Sequence, residues 1–433
     1  MATRLQGLQR PVASHYRIGG GDNRLQGVYR VPGAKNAILP MMAATLLTEE
    51  TCHLTNVPAI GDVEAMMELL GMLGADVERD RTGRRLTITA ANIDSFEPDP
   101  DLVAGMRASF LVTGPLLARF GRVVVAPPGG CEIGVRPVNV DIDGFVRMGA
   151  RVDRFEGGYD VTAGTLRGDR IYLDYPSHTG TENLIMGATL ADGVTVIVNA
   201  SREPEVLHLC GFLRAMGADI RGAGTSVISV HGRRRLFGAG YRTMPDRMVA
   251  GTIAIATAAC GGEVLLDDVV RDDLEPVLLK LEEIGVDVFY EGDSVVIASD
   301  RQLRAVEVQS MPHPGFPTDK QAEMGALLTQ ASGRSTISDR VFENRFGYLD
   351  GLQRLGAKID RRESHALIAG PQQLRGAQVE LERDLRAGAA LTIAALVAEG
   401  QSVLSGVSFI DRGYEDLAGD LAALGADIRV ARQ

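Results

Sequence analysis

Leu73-Gly74-Ala75-Asp76-Val77 reappears with small changes as Met148-Gly149-Ala150-Arg151-Val152, Met216-Gly217-Ala218-Asp219-Ile220, Ile284-Gly285-Val286-Asp287-Val288, Leu355-Gly356-Ala357-Lys358-Ile359 and Leu424-Gly425-Ala426-Asp427-Ile428. The glycines lie 75, 68, 68, 71 and 69 residues apart, a regularity that marks an internal repeat. Copies follow an amphipathic run such as 63–73. The glycine therefore reads as the residue past a helix end, where a left-handed backbone is wanted, and the alternating residues after it as a strand.

A second kind of segment accompanies each copy. Stretches 37–47, 108–118, 184–190, 248–260, 322–328 and 387–398 are rich in Ala, Leu, Ile and Met with little charge on any face, the pattern of a helix buried all round. Several precede a glycine and a β-branched strand, as in Gly193-Val194-Thr195-Val196-Ile197-Val198. The expected fold class is α/β. Six repeats of a surface helix, a buried helix and several strands make two domains of three more naturally than one solenoid, and we take these as residues 1–34 with 243–433, and 35–242. Residues 1–16 read as a loose extension.

The 433 residues carry 45 Lys and Arg against 56 Asp and Glu, a formal charge of −11. No basic run offsets it, so neither nucleic acid nor an anionic membrane is an expected partner. No apolar stretch approaches a membrane span, and the first 17 residues lack the apolar core of an export signal. Cys52, Cys131, Cys210 and Cys260 are far apart in sequence, which argues against a disulfide framework or a zinc site and for a reducing cytoplasm. His53 beside Cys52 has no further ligand at useful spacing, and no metal is expected.

The starts of the buried helices collect charge: Lys35 and Asn36, Arg107, Glu182 and Asn183, Asp246 and Arg247, Asp319 and Lys320, Asp384 and Arg386. A cation at a helix N-terminus opposes the macrodipole at a cost of about half a kcal/mol. An anion bound there reverses the sign, since the free N–H groups already favour one. Converging several such ends predicts a strongly electropositive pocket for a ligand bearing phosphate or carboxylate.

Pro127-Pro128-Gly129-Gly130-Cys131-Glu132-Ile133-Gly134-Val135-Arg136-Pro137 places a thiol among glycines with an arginine five residues on. It reads either as a structural thiol in a turn or as a loop that presents a reactive group. Val31-Pro32-Gly33-Ala34-Lys35-Asn36 reads as a turn with a solvated lysine or as an anion-binding helix start; it lacks the Walker spacing. Asp319, after Phe316-Pro317-Thr318, is an N-cap or a general base. Arg345 and Arg412 have surface ion pairs as their ordinary fate, and His178 alone is an ordinary surface histidine.

Together, Gly33-Ala34-Lys35-Asn36-Ala37, Met106-Arg107-Ala108-Ser109, Pro128-Gly129-Gly130-Cys131, Arg136-Pro137-Val138, Phe316-Pro317-Thr318-Asp319, Glu343-Asn344-Arg345-Phe346, Asp384-Leu385-Arg386-Ala387 and Asp411-Arg412-Gly413-Tyr414 resemble the UDP-N-acetylglucosamine 1-carboxyvinyltransferases, in order and spacing from about residue 17 onward. The resemblance implies an inside-out α/β barrel in two domains of three repeats. It implies transfer of the enolpyruvyl group of phosphoenolpyruvate to the sugar 3′-hydroxyl with release of phosphate, in peptidoglycan precursor synthesis, with no organic cofactor.

By position, the resemblance gives Lys35, Arg136 and Arg412 the phosphate and carboxylate of phosphoenolpyruvate. Asp319 would take the acceptor proton. Cys131, on a lid loop, would protonate C3 and is the site of fosfomycin alkylation in sensitive members. Asn36, Arg107, Val341 and Arg345 would line the acceptor and cleft, with Asp384 and Arg386 supporting the reaction centre. Pro137, Val138, Asn139, Val140, Ser177 and His178 fall in segments that hold the uridine and diphosphate in relatives. Asn139-Val140-Asp141 and Ser177-His178-Thr179-Gly180-Thr181 differ from the usual Asp-Leu-His and Ser-Val-Gly-Ala-Thr. That difference motivates a second reading, an enolpyruvyl transferase with another nucleotide acceptor such as UMP; a third is a catalytically silent nucleotide-sugar sensor.

Overall fold

The computed structural model describes residues 14–80, 82, 84–129, 138–342, 345–362 and 365–432. Among these the chain forms a mixed α/β fold with six sheets, five of four strands and one of three. One sheet illustrates the order of elements. The buried helix His178–Ala188 leads to strand Val194–Val198, the outer helix Pro204–Ala215 and strand Asp219–Arg221. Strand Val227–His231 then returns antiparallel between the two earlier strands, and Arg170–Tyr172 lies parallel along Val194–Val198 as the far edge.

The last sheet recruits the start of the chain. Ser14–Gly20 runs antiparallel between Gly400–Ser405 and Ile428–Arg432, and Leu25–Arg30 lies parallel to Gly262–Asp267. Accordingly, one large apolar cluster gathers residues 16–31 with 249–428 and another gathers 38–236. Ala34, Ala37 and Met244 form a small third cluster where two segments run side by side, with Gly33 bridged to Pro245.

The six signature glycines all have positive φ, between 92° and 108°, the backbone that only glycine adopts without strain. The apolar helices are interior as expected: every residue of Arg247–Cys260 and Leu385–Val397 is buried. Their alanines allow close approach, and Gln321–Leu328 packs against both. Each fully buried Leu or Ile adds about 1.5–3 kcal/mol of burial free energy. Among the described residues no helix is long and apolar enough to cross a membrane.

Two helix starts differ from expectation. The segment expected as a helix from 108 begins as a 3₁₀ turn, Arg107–Val112, and turns α-helical only at Thr113–Phe120. Pro115 has no N–H to give an interior helical bond and is accommodated in the first turn of the later start. The third buried helix begins earlier than read, at His178, because the Ser177 hydroxyl caps it by accepting from the Gly180 N–H at 3.1 Å. Glu182 and Asn183 therefore sit in its second turn.

Candidate functional site

A cavity of about 810 Å³ opens where the starts of these helices meet. Lys35 and Asn36 line it from the first buried helix, and Arg107 from the 3₁₀ turn. Asn139, Val140, Ser177 and His178 contribute from one side, and Asp319, Val341, Arg345, Arg386 and Arg412 from the other. Residues as distant in sequence as Lys35 and Arg412 thus share one space. Val138 is buried and does not line it, and Asp384 stands behind it as a helix cap, accepting from the Arg386 N–H at 2.9 Å. Cys131, Arg136 and Pro137 lie outside the described residues.

The strongly electropositive pocket is corrected. Among the described lining residues, seven Lys and Arg, joined by His178, face six Asp and Glu. A buried cation without a counter-charge is costly, and the helix-start cations have acidic partners. Lys35 meets Asp62 at 2.9 Å, and Arg412 meets the same carboxylate at 2.8 Å. Arg247 is held by Glu205 at 2.9 and 3.0 Å and by Glu203 at 2.5 Å. Burial pushes the Asp62 carboxyl up, but Lys35 and Arg412 outweigh it and leave the group below its ordinary value.

Asp319 is not the N-cap that its position allowed. It sits in the 3₁₀ turn Thr318–Lys320 and makes no cap bond there. Arg345 Nη1 donates to Oδ1 at 2.7 Å, while Arg386 Nε and Nη2 donate to Oδ2 at 3.1 and 2.9 Å. Burial raises its carboxyl; Arg386 and then Arg345 overcome that and hold it well below the usual carboxylate range. Arg345 in turn is interior, not on the surface, with its Nε 3.6 Å from Asp384.

His178 is likewise not an ordinary surface residue. Its Nε2 lies 3.2 Å from Oε1 of the buried Glu182. Burial lowers its pKa, but Glu182, with Glu205 and Glu203 beyond, raises it to about 9. A raised folded-state value means that the stabilisation is complete below the unfolded pKa of about 6.5 and is lost as pH rises through about 9. An NMR titration of the His178 ring is expected to show its midpoint near 9, and Glu182→Gln is expected to bring it below about 7. Unchanged titration in the variant would contradict this pairing.

Asp141 points into the interior. It is 1% exposed, accepts from Asn183 Nδ2 at 2.8 Å and does not line the cavity. Asn183 also accepts from the Gly114 N–H at 2.7 Å, so this pair ties the two segments together from behind. Glu182, expected at a helix start, lines the site; Asp62 and Glu203 line it too and were missed from sequence. Asp62 sits in the first turn of the outer helix Gly61–Met72, where an acid is an ordinary occupant and gives no separate signal.

The model of the EPSP synthase family (3-phosphoshikimate 1-carboxyvinyltransferase) matches residues 20–421. The chain is 44% identical over 412 residues to UDP-N-acetylglucosamine 1-carboxyvinyltransferase 2 of Staphylococcus saprophyticus, covering 94% of this chain and 97% of that one. It is 46% identical over 409 residues to the UDP-N-acetylglucosamine 1-carboxyvinyltransferase of Halorhodospira halophila, with coverage of 94% and 97%. Among solved structures, it is similar to the enolpyruvyl transferase NikO from Streptomyces tendae, with a TM-score of 0.88, 27% identity and coverage of 98% and 100%. An EPSP synthase from Acinetobacter baumannii shares the fold at a TM-score of 0.77 and 21% identity, with coverage of 97% and 100%.

Proposed function

The chain belongs to the EPSP synthase (3-phosphoshikimate 1-carboxyvinyltransferase) family, and from that premise we propose that it is an enolpyruvyl transferase that moves the enolpyruvyl group of phosphoenolpyruvate to the 3′-hydroxyl of UDP-N-acetylglucosamine and releases phosphate. Relatives that carry this activity in their names cover nearly the whole chain. The observation that carries the reading is the pairing, in one cavity, of an anion site with a carboxylate kept ionised. Lys35 and Arg412 converge on Asp62, and the anionic donor would take up the same two cations.

In this reading the acceptor oxygen bonds to C2 of phosphoenolpyruvate, its proton passes to Asp319, and C3 gains a proton from Cys131. Breaking the C2–O bond to phosphate and removing a proton from C3 then restores the double bond. Asp319 is a weak base while two guanidiniums hold it. A weak base suffices, because an oxygen forming its third bond is strongly acidic. Arg136 would join Lys35 and Arg412 on the donor, and Arg386 and Arg345 would stabilise charge at the reacting centre.

The same reading extends to the architecture. The six sheets and two apolar clusters support an inside-out α/β barrel of six repeats, divided as residues 1–34 with 243–433, and 35–242. Cys131 would ride on a lid loop and be alkylated by fosfomycin, and the product would feed peptidoglycan synthesis in the cytoplasm. Phosphate release from phosphoenolpyruvate is expected with UDP-N-acetylglucosamine and lost after exposure to fosfomycin. Turnover with UMP or shikimate 3-phosphate in its place would overturn the acceptor, and no turnover with any of them would favour a silent sensor.

A further inference from the structure

Lys320 follows Asp319 directly, yet the two side chains part. Asp319 lines the cavity, whereas Lys320 has no exposed surface and reaches inward. Its ammonium donates to Glu323 Oε1 at 2.5 Å and to Thr252 Oγ1 at 2.6 Å. Thr252 is 2.8 Å from the Tyr414 hydroxyl, which also lies 3.3 Å from Glu323 Oε1. The outer end of this chain is Arg386, whose Nη1 donates to the Tyr414 oxygen at 3.0 Å. The opposite edge of the same guanidinium holds Asp319.

We propose that Tyr414, Glu323 and Lys320 are positioning residues that fix Arg386 from behind the cavity and so set the placement of Asp319; this rests on the enolpyruvyl-transfer reading. The Arg386 guanidinium lies between two carboxylates, Asp319 in the cavity and Glu323 in the interior. Tyr414 separates it from Glu323 and, being kept protonated by burial, offers an oxygen to Arg386 and a proton to the inner groups. Lys320 neutralises Glu323. Without that ammonium, the uncompensated Glu323 charge would draw Arg386 inward and loosen its hold on Asp319. A buried ion pair adds little net stability compared with a well-packed apolar pair, so stability alone gives no reason for Lys and Glu here.

The test uses the full chain. Tyr414→Phe removes one oxygen and leaves the Lys320–Glu323 pair intact; it is expected to lower kcat about tenfold, since small misplacements at a reacting centre act at this scale. The KM for phosphoenolpyruvate stays within about twofold, because Lys35 and Arg412 are separate from the network. Lys320→Met is expected to be worse, and Lys320→Met with Glu323→Gln to recover most of the loss. Independently of turnover, the Nε–H resonance of Arg386, assigned by its loss in Arg386→Lys, is expected to shift and exchange faster in Tyr414→Phe. An inactive wild type would overturn the enolpyruvyl reading, while the Arg386 resonance still tests the positioning. An unmoved resonance, or wild-type kcat in Tyr414→Phe, would overturn the positioning role.

Discussion

Asp319→Asn is expected to lower kcat by about 10³-fold, within the range for loss of a positioned general base, while the KM for phosphoenolpyruvate changes only a few-fold. The substitution keeps the shape of the side chain and removes its charge. The amide would offer one acceptor oxygen where Asp319 now receives three N–H donors from Arg345 and Arg386. Both arginines are almost fully buried, at 5% and 2% exposure; Asp384, 3.6 Å from Arg345, and Glu323 behind Tyr414 on the far side of Arg386 would be left to face them. The variant should therefore also lose stability.

The sign of the pH effect follows from the depressed carboxyl. A folded-state pKa below the unfolded value of about 3.9 contributes stability that is present above that pH and is lost as pH falls through the folded value. Wild type and Asp319→Asn should thus differ by a constant amount in calorimetry from about pH 5 upward and converge only in stronger acid. For the same reason Asp319 should give the free enzyme no acid limb in kcat/KM over that range. Asp319→Glu retains the charge and separates the two effects: most of the stability returns, but the extra methylene moves the carboxylate and kcat stays low. Near-normal kcat in Asp319→Asn would remove this residue from proton transfer.

The fold was legible because its signals are local and recur. A glycine past each outer helix and an uncharged helix in each repeat are readable from a few neighbouring residues, and the six positive-φ glycines and buried helices follow. The cations of the site were legible too, since Lys35, Arg107 and Arg386 stand at helix starts. Their partners were not. Arg412 and Asp62 are 350 positions apart, and Arg386 and Asp319 are 67 apart. No spacing rule connects residues that meet only when sheets from distant segments assemble. That is why the pocket read as strongly positive from sequence, whereas among the described residues acids nearly match the Lys and Arg that line it. His178 misled for a smaller reason: the Ser177 cap moved the helix start one turn earlier and brought Glu182 onto its face at i+4.

Asp62→Ala is expected to destabilise the protein by about 3 kcal/mol, because removing one member of a buried ionic group leaves the others uncompensated. Asp62 is the common anion of Lys35 and Arg412, whose side chains are 14% and 18% exposed. Without it the two cations repel across the cavity and the 3₁₀ helix Val407–Arg412 loses its tie to the helix Gly61–Met72. The melting midpoint should fall by roughly 5–10 °C. Inorganic phosphate then becomes the discriminating reagent. If Lys35 and Arg412 hold the donor, phosphate should occupy the place of the lost carboxylate and recover several degrees in Asp62→Ala, more than it gives the wild type, by mass action. Equal phosphate stabilisation of both proteins would mean that these two cations do not form the donor anion site.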